Sequence, residues 1–298
     1  MDAFANRHFA DRGVQVGILD DKVAVVIGAT SGIGAAVARQ FVSAGAQVVL
    51  AGRRTDVGDR LAAELGDAAR FRRVDASVED DVRGLLEEAV QQHGKLDILV
   101  NSAGVPGHWA DIADIDLQEF RQVMDVHFYG VLHGLKHAAR QMIAQGSGSI
   151  INVVSTSGIV GGWSGPDYSA AKAGVLQLTR SAAVELGESG VRVNSVTAGV
   201  VLTGIFGKGA GLDPAVADRT ASGLAAVFPA MMGHYQPVQR PIMPTDVAEA
   251  VTWLASDASS LVNGHSLVVD GGVAAGRPIS VSRGERAQLT SLLSPNKE

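Results

Sequence analysis

VAVVIGATSGIGAAVARQF, residues 23–41, carries a strand, a glycine turn and a helix in one unbroken stretch. Five apolar residues in a row, without polar alternation, are what a strand buried on both faces of a parallel sheet requires. The turn reads GxxxGxG from Gly28 to Gly34. Glycines there permit a tight bend, close approach of a diphosphate to the backbone, and close packing of helix on strand. The free N–H groups and positive end of the helix that follows would then hold the diphosphate. That assigns Gly28, Thr30, Ser31, Gly32, Ile33 and Gly34 to a bound dinucleotide. The pattern alone could be a structural turn; between VAVVI and AAVARQF it is a strong signal.

Outward from this unit, short apolar runs alternate with amphipathic stretches. Strands are expected at 47–52, 71–75, 96–101, 149–154, 191–196 and 265–270, and helices at 35–44, 61–65, 78–92, 116–144, 168–188 and 245–256. This alternation predicts right-handed βαβ units and an α/β fold: one Rossmann-like, doubly wound domain over 1–298, with a seven-stranded parallel sheet flanked by helices. Three segments fall outside the pattern: a polar leader at 1–20, a Gly/Ala/Met/Pro-rich insertion at 203–243, and a tail at 273–298. The insertion is too long for a plain connector and reads as a substrate lid, with a surface or oligomer-contact loop as the alternative.

Composition narrows the function. The 298 residues include 36 glycines and no cysteine, with 46% hydrophobic residues, 19% charged and a net charge of −6. Absence of cysteine excludes disulfide scaffolds, thiolate nucleophiles and Cys-ligated metal centres. The acidic balance argues against a nucleic-acid partner. No apolar run reaches the ~18–20 residues of a membrane span, and the first residues lack a signal-peptide core. The expectation is a cytoplasmic protein with no membrane or nucleic-acid partner and no metal.

At the end of the second strand, where a dinucleotide fold reads the adenosine ribose, the chain runs VVLAGRR. Gly52 stands in the usual acidic slot, with Arg53 and Arg54 beyond it. Guanidinium groups suit a 2′-phosphate, so NADP(H) is favoured and NAD(H) is the alternative, the arginines then being solvated or stacked on adenine. Asp75, with Ala76 after it, is placed to meet the adenine, or else to cap the next helix.

GATSGIG (28–34), Asp75, NSAG (101–104), Ser155, YSAAK (168–172), AGVVLT (198–203) and VDGG (269–272) together resemble the one-domain short-chain dehydrogenases/reductases over residues ~21–272. Ser155 precedes Tyr168 by the family's thirteen residues. Tyr168 and Lys172 are four apart at a helix start and so share one face. A nearby ammonium favours a phenolate, which would lower the Tyr168 pKa and make it the acid/base for the substrate oxygen. Ser155 would hydrogen-bond that oxygen. The resemblance further implies that Lys172 holds the nicotinamide ribose, that Asn101, Ala103 and Gly104 line the cofactor ribose, and that Val201 and Thr203 meet the nicotinamide amide. It also implies a homotetramer or dimer built partly on the long helices.

One departure from the family is sharp: VHFYG (126–130) replaces the usual VNxxG. His127 hydrogen-bonds both ways and titrates near neutral pH, so it is expected to take over the asparagine's relay role; a kinked helix with a passive core histidine is the alternative. Substrate contacts are expected from Ser155, Ser157, His108, Trp109 and Trp163, with Gly107, Phe206, Met231, Met232 and Tyr235 as further lining. This apolar lining suits a neutral, bulky or cyclic alcohol or ketone. SxxK at Ser169 lacks the SDN and KTG partners of β-lactamases, and His133 with His137 lacks a third metal ligand. The Tyr-x3-Lys spacing separates the chain from enoyl reductases, which carry Tyr-x6-Lys. The alternative to an alcohol/carbonyl oxidoreductase is a catalytically weak dinucleotide-binding sensor or partner module.

Overall fold

The computed structural model describes residues 17–293. The strands are β1 (Val23–Ile27), β2 (Gln47–Gly52), β3 (Ala69–Arg73), β4 (Ile98–Asn101), β5 (Gly148–Ser155), β6 (Val191–Ala198) and β7 (Ser266–Val269). They form one parallel sheet in the order β3-β2-β1-β4-β5-β6-β7. Between and after them run α1 (Gly32–Ser43), α2 (Thr55–Leu65), α3 (Glu79–His93), α4 (Leu117–Met124), α5 (Gly130–Gln145), α6 (Pro166–Gly187), α7 (Ile205–Gly209), α8 (Pro214–Thr220), α9 (Leu224–Met232), α10 (Pro244–Ala255) and α11 (Ile279–Leu293).

The continuous apolar strands serve two cores at once. Ala24 and Val26 of β1, with Ile98 and Val100 of β4, pack beneath α1 and α10. Their neighbours Val25, Ile27 and Leu99 face the opposite way, against α3, α5 and α6. Successive strand side chains point to opposite faces, so both positions must be apolar. The edge strands β3 and β7 lie outside this rule and are half exposed. Strand order reverses between β1 and β4, and the crevice at their carboxyl ends is where ligands bind in such sheets.

Several expected boundaries shift for local reasons. The third strand is Ala69–Arg73, not 71–75, because the Asp75 carboxylate already accepts the Ser77 N–H at 3.0 Å and turns the chain. The helical stretch at 116–144 is interrupted by one π-turn, Asp125–Tyr129, between α4 and α5. The 203–243 insertion is not irregular: it holds α7, α8 and α9. Asp213 caps α8 by accepting from the N–H groups of Ala215 and Val216, with Pro214 at the first helical position. The 273–298 tail contains α11, which buries none of its residues. Of the 1–20 leader, residues 1–16 lie outside the described residues, whereas Leu19 is fully buried in the first core. No described helix is long and apolar enough to cross a membrane.

Candidate active site

A cleft of about 350 Å³ opens at the carboxyl edge of the sheet, bounded at one end by Ser31, Gly32 and Ile33 and at the other by Ser155, Tyr168 and Lys172. Gly28 has φ +91° and Gly32 φ +55°, left-handed conformations that L side chains rarely adopt. A Cβ on Gly28 would stand 2.5 Å from the Ala103 amide nitrogen, and one on Gly34 would stand 2.2 Å from the Gly28 carbonyl oxygen. Gly28 and Gly34 thus serve the approach of chain to chain, while Gly32 faces the cleft. Ser31 makes no side-chain cap on α1, and the first turn of α1 has no acidic residue. That positive helix end therefore opens on the cleft without an internal anion, the arrangement a diphosphate would fit.

At the far end, α6 begins at Pro166 and turns Tyr168 and Lys172 toward the end of β5, which carries Ser155. The Ser155 hydroxyl is the group that draws the Tyr168 phenol pKa down. It also meets the Ser157 hydroxyl at 3.2 Å. The Lys172 ammonium donates to the Val153 carbonyl at 2.9 Å and lies 5.5 Å from the centroid of the Tyr168 ring. Burial pushes the phenol up to about 12, with only Ser155 pulling it down. Burial likewise drives Lys172 down to about 8. The expected lowering of Tyr168 by Lys172 is therefore corrected: desolvation outweighs any gain from the cation, and the phenol keeps its proton at neutral pH.

His127 sits in the π-turn, 1% exposed, with its ring edge-on to Tyr168 at a centroid distance of 4.8 Å. Such turns recur at functional sites because the extra residue re-aims a side chain. Nε2 lies 2.8 Å from the Val105 carbonyl oxygen, the shortest polar contact of the ring. The Val105 N–H approaches the same atom at 3.1 Å. Buried Nδ1 has no partner. Burial first, then the Lys172 charge, pushes His127 down to about 3. The expectation of a titration near neutrality is overturned: this imidazole is neutral throughout the working range.

Ala103, Gly104, Val201, Thr203, Ser157, Trp109 and Trp163 all line the cleft, as do Gly107 and Phe206. Others do not. Asn101 is 4% exposed and donates to the Asn152 side chain at 2.9 Å, the start of a polar chain that runs on to Thr179 inside the protein. Asp75 spends its carboxylate on the Ser77 N–H and hydroxyl. Ala76 is buried, and its carbonyl faces His133 at 3.1 Å. The His108 ring turns to Asp167 at 2.9 Å and so staples the loop after β4 to the start of α6. Met232 packs with Phe228 and Val273, and Tyr235 packs edge-on against Trp163 at 5.4 Å. Met231 is exposed and also stands outside the cleft. Arg53 is exposed at the end of β2. Arg54 is committed elsewhere, donating to Asp218 at 2.8 Å and to the Thr30 carbonyl at 3.2 Å. Lys208 lines the cleft although no motif marked it. Lys136 and His137 share Glu79, and no described group of three His, Asp or Glu could hold a metal ion.

The family model described as enoyl-(acyl carrier protein) reductase matches residues 28–274. The chain is 44% identical over 258 residues to cis-4-hydroxycyclohexanecarboxylate dehydrogenase of Sinomonas cyclohexanicum, covering 86% of this chain and 97% of that protein. It is 39% identical over 256 residues to the mitochondrial borneol dehydrogenase of Lavandula x intermedia, covering 86% and 91%. A crystal structure of a short-chain type dehydrogenase/reductase from Mycobacterium marinum superposes with a TM-score of 0.76 at 33% identity, covering 87% of this chain and 98% of that one.

Proposed function

Because the chain belongs to the short-chain dehydrogenase/reductase family, we propose that it interconverts a neutral, bulky or cyclic secondary alcohol and its ketone, with NADP(H) as the favoured nicotinamide cofactor. The observation that carries this reading is the convergence of Ser155, Tyr168 and Lys172 on one cleft whose other end is an uncapped helix N-terminus. When bound, the cofactor supplies or accepts the hydride. Ser31, Gly32 and Ile33 would hold its diphosphate, Ala103 and Gly104 its ribose, and Val201 with Thr203 its amide. Burial raises the Asp75 carboxyl and the Ser77 hydrogen bonds hold it down, with a smaller lowering from the charge of Arg53; exposed at the end of β2, Arg53 supports a 2′-phosphate.

Ser155 donates a hydrogen bond to the substrate oxygen and orients it toward the phenol. Tyr168, protonated at neutral pH, gives its proton to a ketone oxygen as that oxygen gains charge. In the alcohol direction the same atom must first lose its proton, and the Lys172 cation then stabilises the phenolate. His127 acts as a neutral positioning residue: it holds Val105 and braces the Tyr168 ring. A proton relay through a charged imidazole is not part of this reading.

The apolar part of the lining supports a neutral substrate. Pro106, Trp109, Trp163, Val200, Phe206 and Val273 are apolar, while Lys172 is bonded to Val153 and Lys208 to Asp218. The test is a titration with NADPH and NADH, then a screen of cyclic ketones and alcohols with wild type and Tyr168→Phe. The phenylalanine variant should bind the cofactor normally and lose roughly 10²–10⁴-fold in turnover. Cofactor binding without turnover of any carbonyl, unchanged by Tyr168→Phe, would instead make the chain a dinucleotide sensor.

A further inference from the structure

The 203–243 insertion reaches back to the glycine turn through two charges. Asp218, in α8, accepts from Arg54 Nη1 at 2.8 Å through Oδ2 and pairs with Lys208 Nζ at 2.9 Å through Oδ1. Arg54 also holds the Thr30 carbonyl at 3.2 Å, and Lys208 approaches the Ser31 hydroxyl at 3.4 Å. All three charged side chains are about a quarter exposed, so they are partly shielded from water and salt. A Cβ on Gly204 would lie 2.2 Å from Asp218 Oδ1, so the close approach of this carboxylate needs the glycine.

The place matters. Arg54 stands at the N-terminal boundary of α2 just beyond β2, where this architecture sets the adenosine ribose. Asp218 lines a second cleft, with Thr30, Ser31, Arg39, Arg60 and Glu64, that shares Ser31, Gly32, Thr203 and Gly204 with the first. Glu64, the other carboxylate of that cleft, is held by Arg39 at 2.7 Å.

We infer that Asp218 is a cofactor-selecting residue carried on the insertion, a carboxylate that occupies Arg54 and disfavours a 2′-phosphate at the adenosine ribose. The inference rests on the dinucleotide reading above and deepens it. A 2′-phosphate dianion must either displace Asp218 from Arg54 or lie beside it, and both cost affinity that an unphosphorylated ribose does not lose. Asp218 therefore tempers the preference that Arg53 and Arg54 would otherwise impose. Because Asp218 belongs to α8, a displacing phosphate would also release one tie between the insertion and the glycine turn.

The experiment is a binding titration, with no turnover, of NADPH and NADH against wild type and Asp218→Asn, read by protein fluorescence. The amide keeps the shape and removes the charge. NADPH should bind Asp218→Asn about tenfold more tightly than wild type, equivalent to ~1.4 kcal/mol, while NADH changes by less than about threefold. An unchanged NADPH/NADH ratio overturns the inference. Equal tightening of both also overturns it, since the carboxylate would then act on the shared diphosphate. If wild type binds neither dinucleotide, the cofactor reading itself falls, an outcome separable from the other two. Asp218→Ser, measured in the same way, serves if the asparagine variant does not fold.

Discussion

Replacing Lys172 by methionine removes a buried cation and keeps nearly the same unbranched volume. In the wild type the ammonium is driven from an ordinary value of 10.5 down to about 8 by burial, with the Val153 carbonyl as its hydrogen-bond partner. A depressed pKa on a base means that the folded state binds the proton less well than the unfolded state. The penalty is therefore full below the folded value of about 8 and disappears as pH rises toward the unfolded value of 10.5. That penalty is on the order of 3 kcal/mol, most of which is recovered between pH 7 and pH 10. The assay is urea unfolding of wild type and Lys172→Met at pH 7, 8, 9 and 10. The wild type should gain on the variant by roughly 2–3 kcal/mol across that range, with the rise beginning near pH 8. Tyr168 contributes with the opposite sign, but only above about pH 10, because burial raises it from 10.0 to about 12. Taking the difference against Lys172→Met cancels the exposed lysines. A flat difference between pH 7 and 10 would refute the claim that the buried ammonium is strained by desolvation.

Two further perturbations follow from the same geometry. His127→Asn should lower kcat by loosening Val105 and Tyr168, yet remove no inflection from the pH–rate profile between about pH 5 and 8, because burial keeps the imidazole neutral. Loss of an inflection in that range would restore a titrating relay, and an unchanged rate would reduce His127 to a passive core residue. Gly34→Ala places a Cβ 2.2 Å from the Gly28 carbonyl oxygen, which is backbone and cannot swing away. It should cost about 1–3 kcal/mol in urea unfolding and weaken dinucleotide binding by forcing α1 off the turn.

The fold was legible because its signals are local. A strand of consecutive Val and Ile, a glycine turn and an amphipathic helix each state their conformation within a few residues, and their alternation points to a parallel sheet. The Ser155, Tyr168 and Lys172 set was legible for a related reason: helix pitch fixes two of its members relative to each other. Asn101 was not legible in the same way, because its side chain donates across the sheet to Asn152, a partner 51 residues away in sequence. A kink at VHFYG was one of the two readings the sequence offered, but its form, a π-turn over Asp125–Tyr129, depends on backbone hydrogen-bond register that side-chain identity does not state.

What the sequence determined by itself, then, is the order of elements and the candidate reacting side chains, both read from short-range patterns. Tertiary structure decided the protonation states and the charge pairs. His127, Tyr168 and Lys172 depart from their ordinary pKa values because of burial, a property of the whole packed core. Asp218 meets Arg54 across 164 residues of chain, and no motif announces such a contact because only the folded sheet brings the two together.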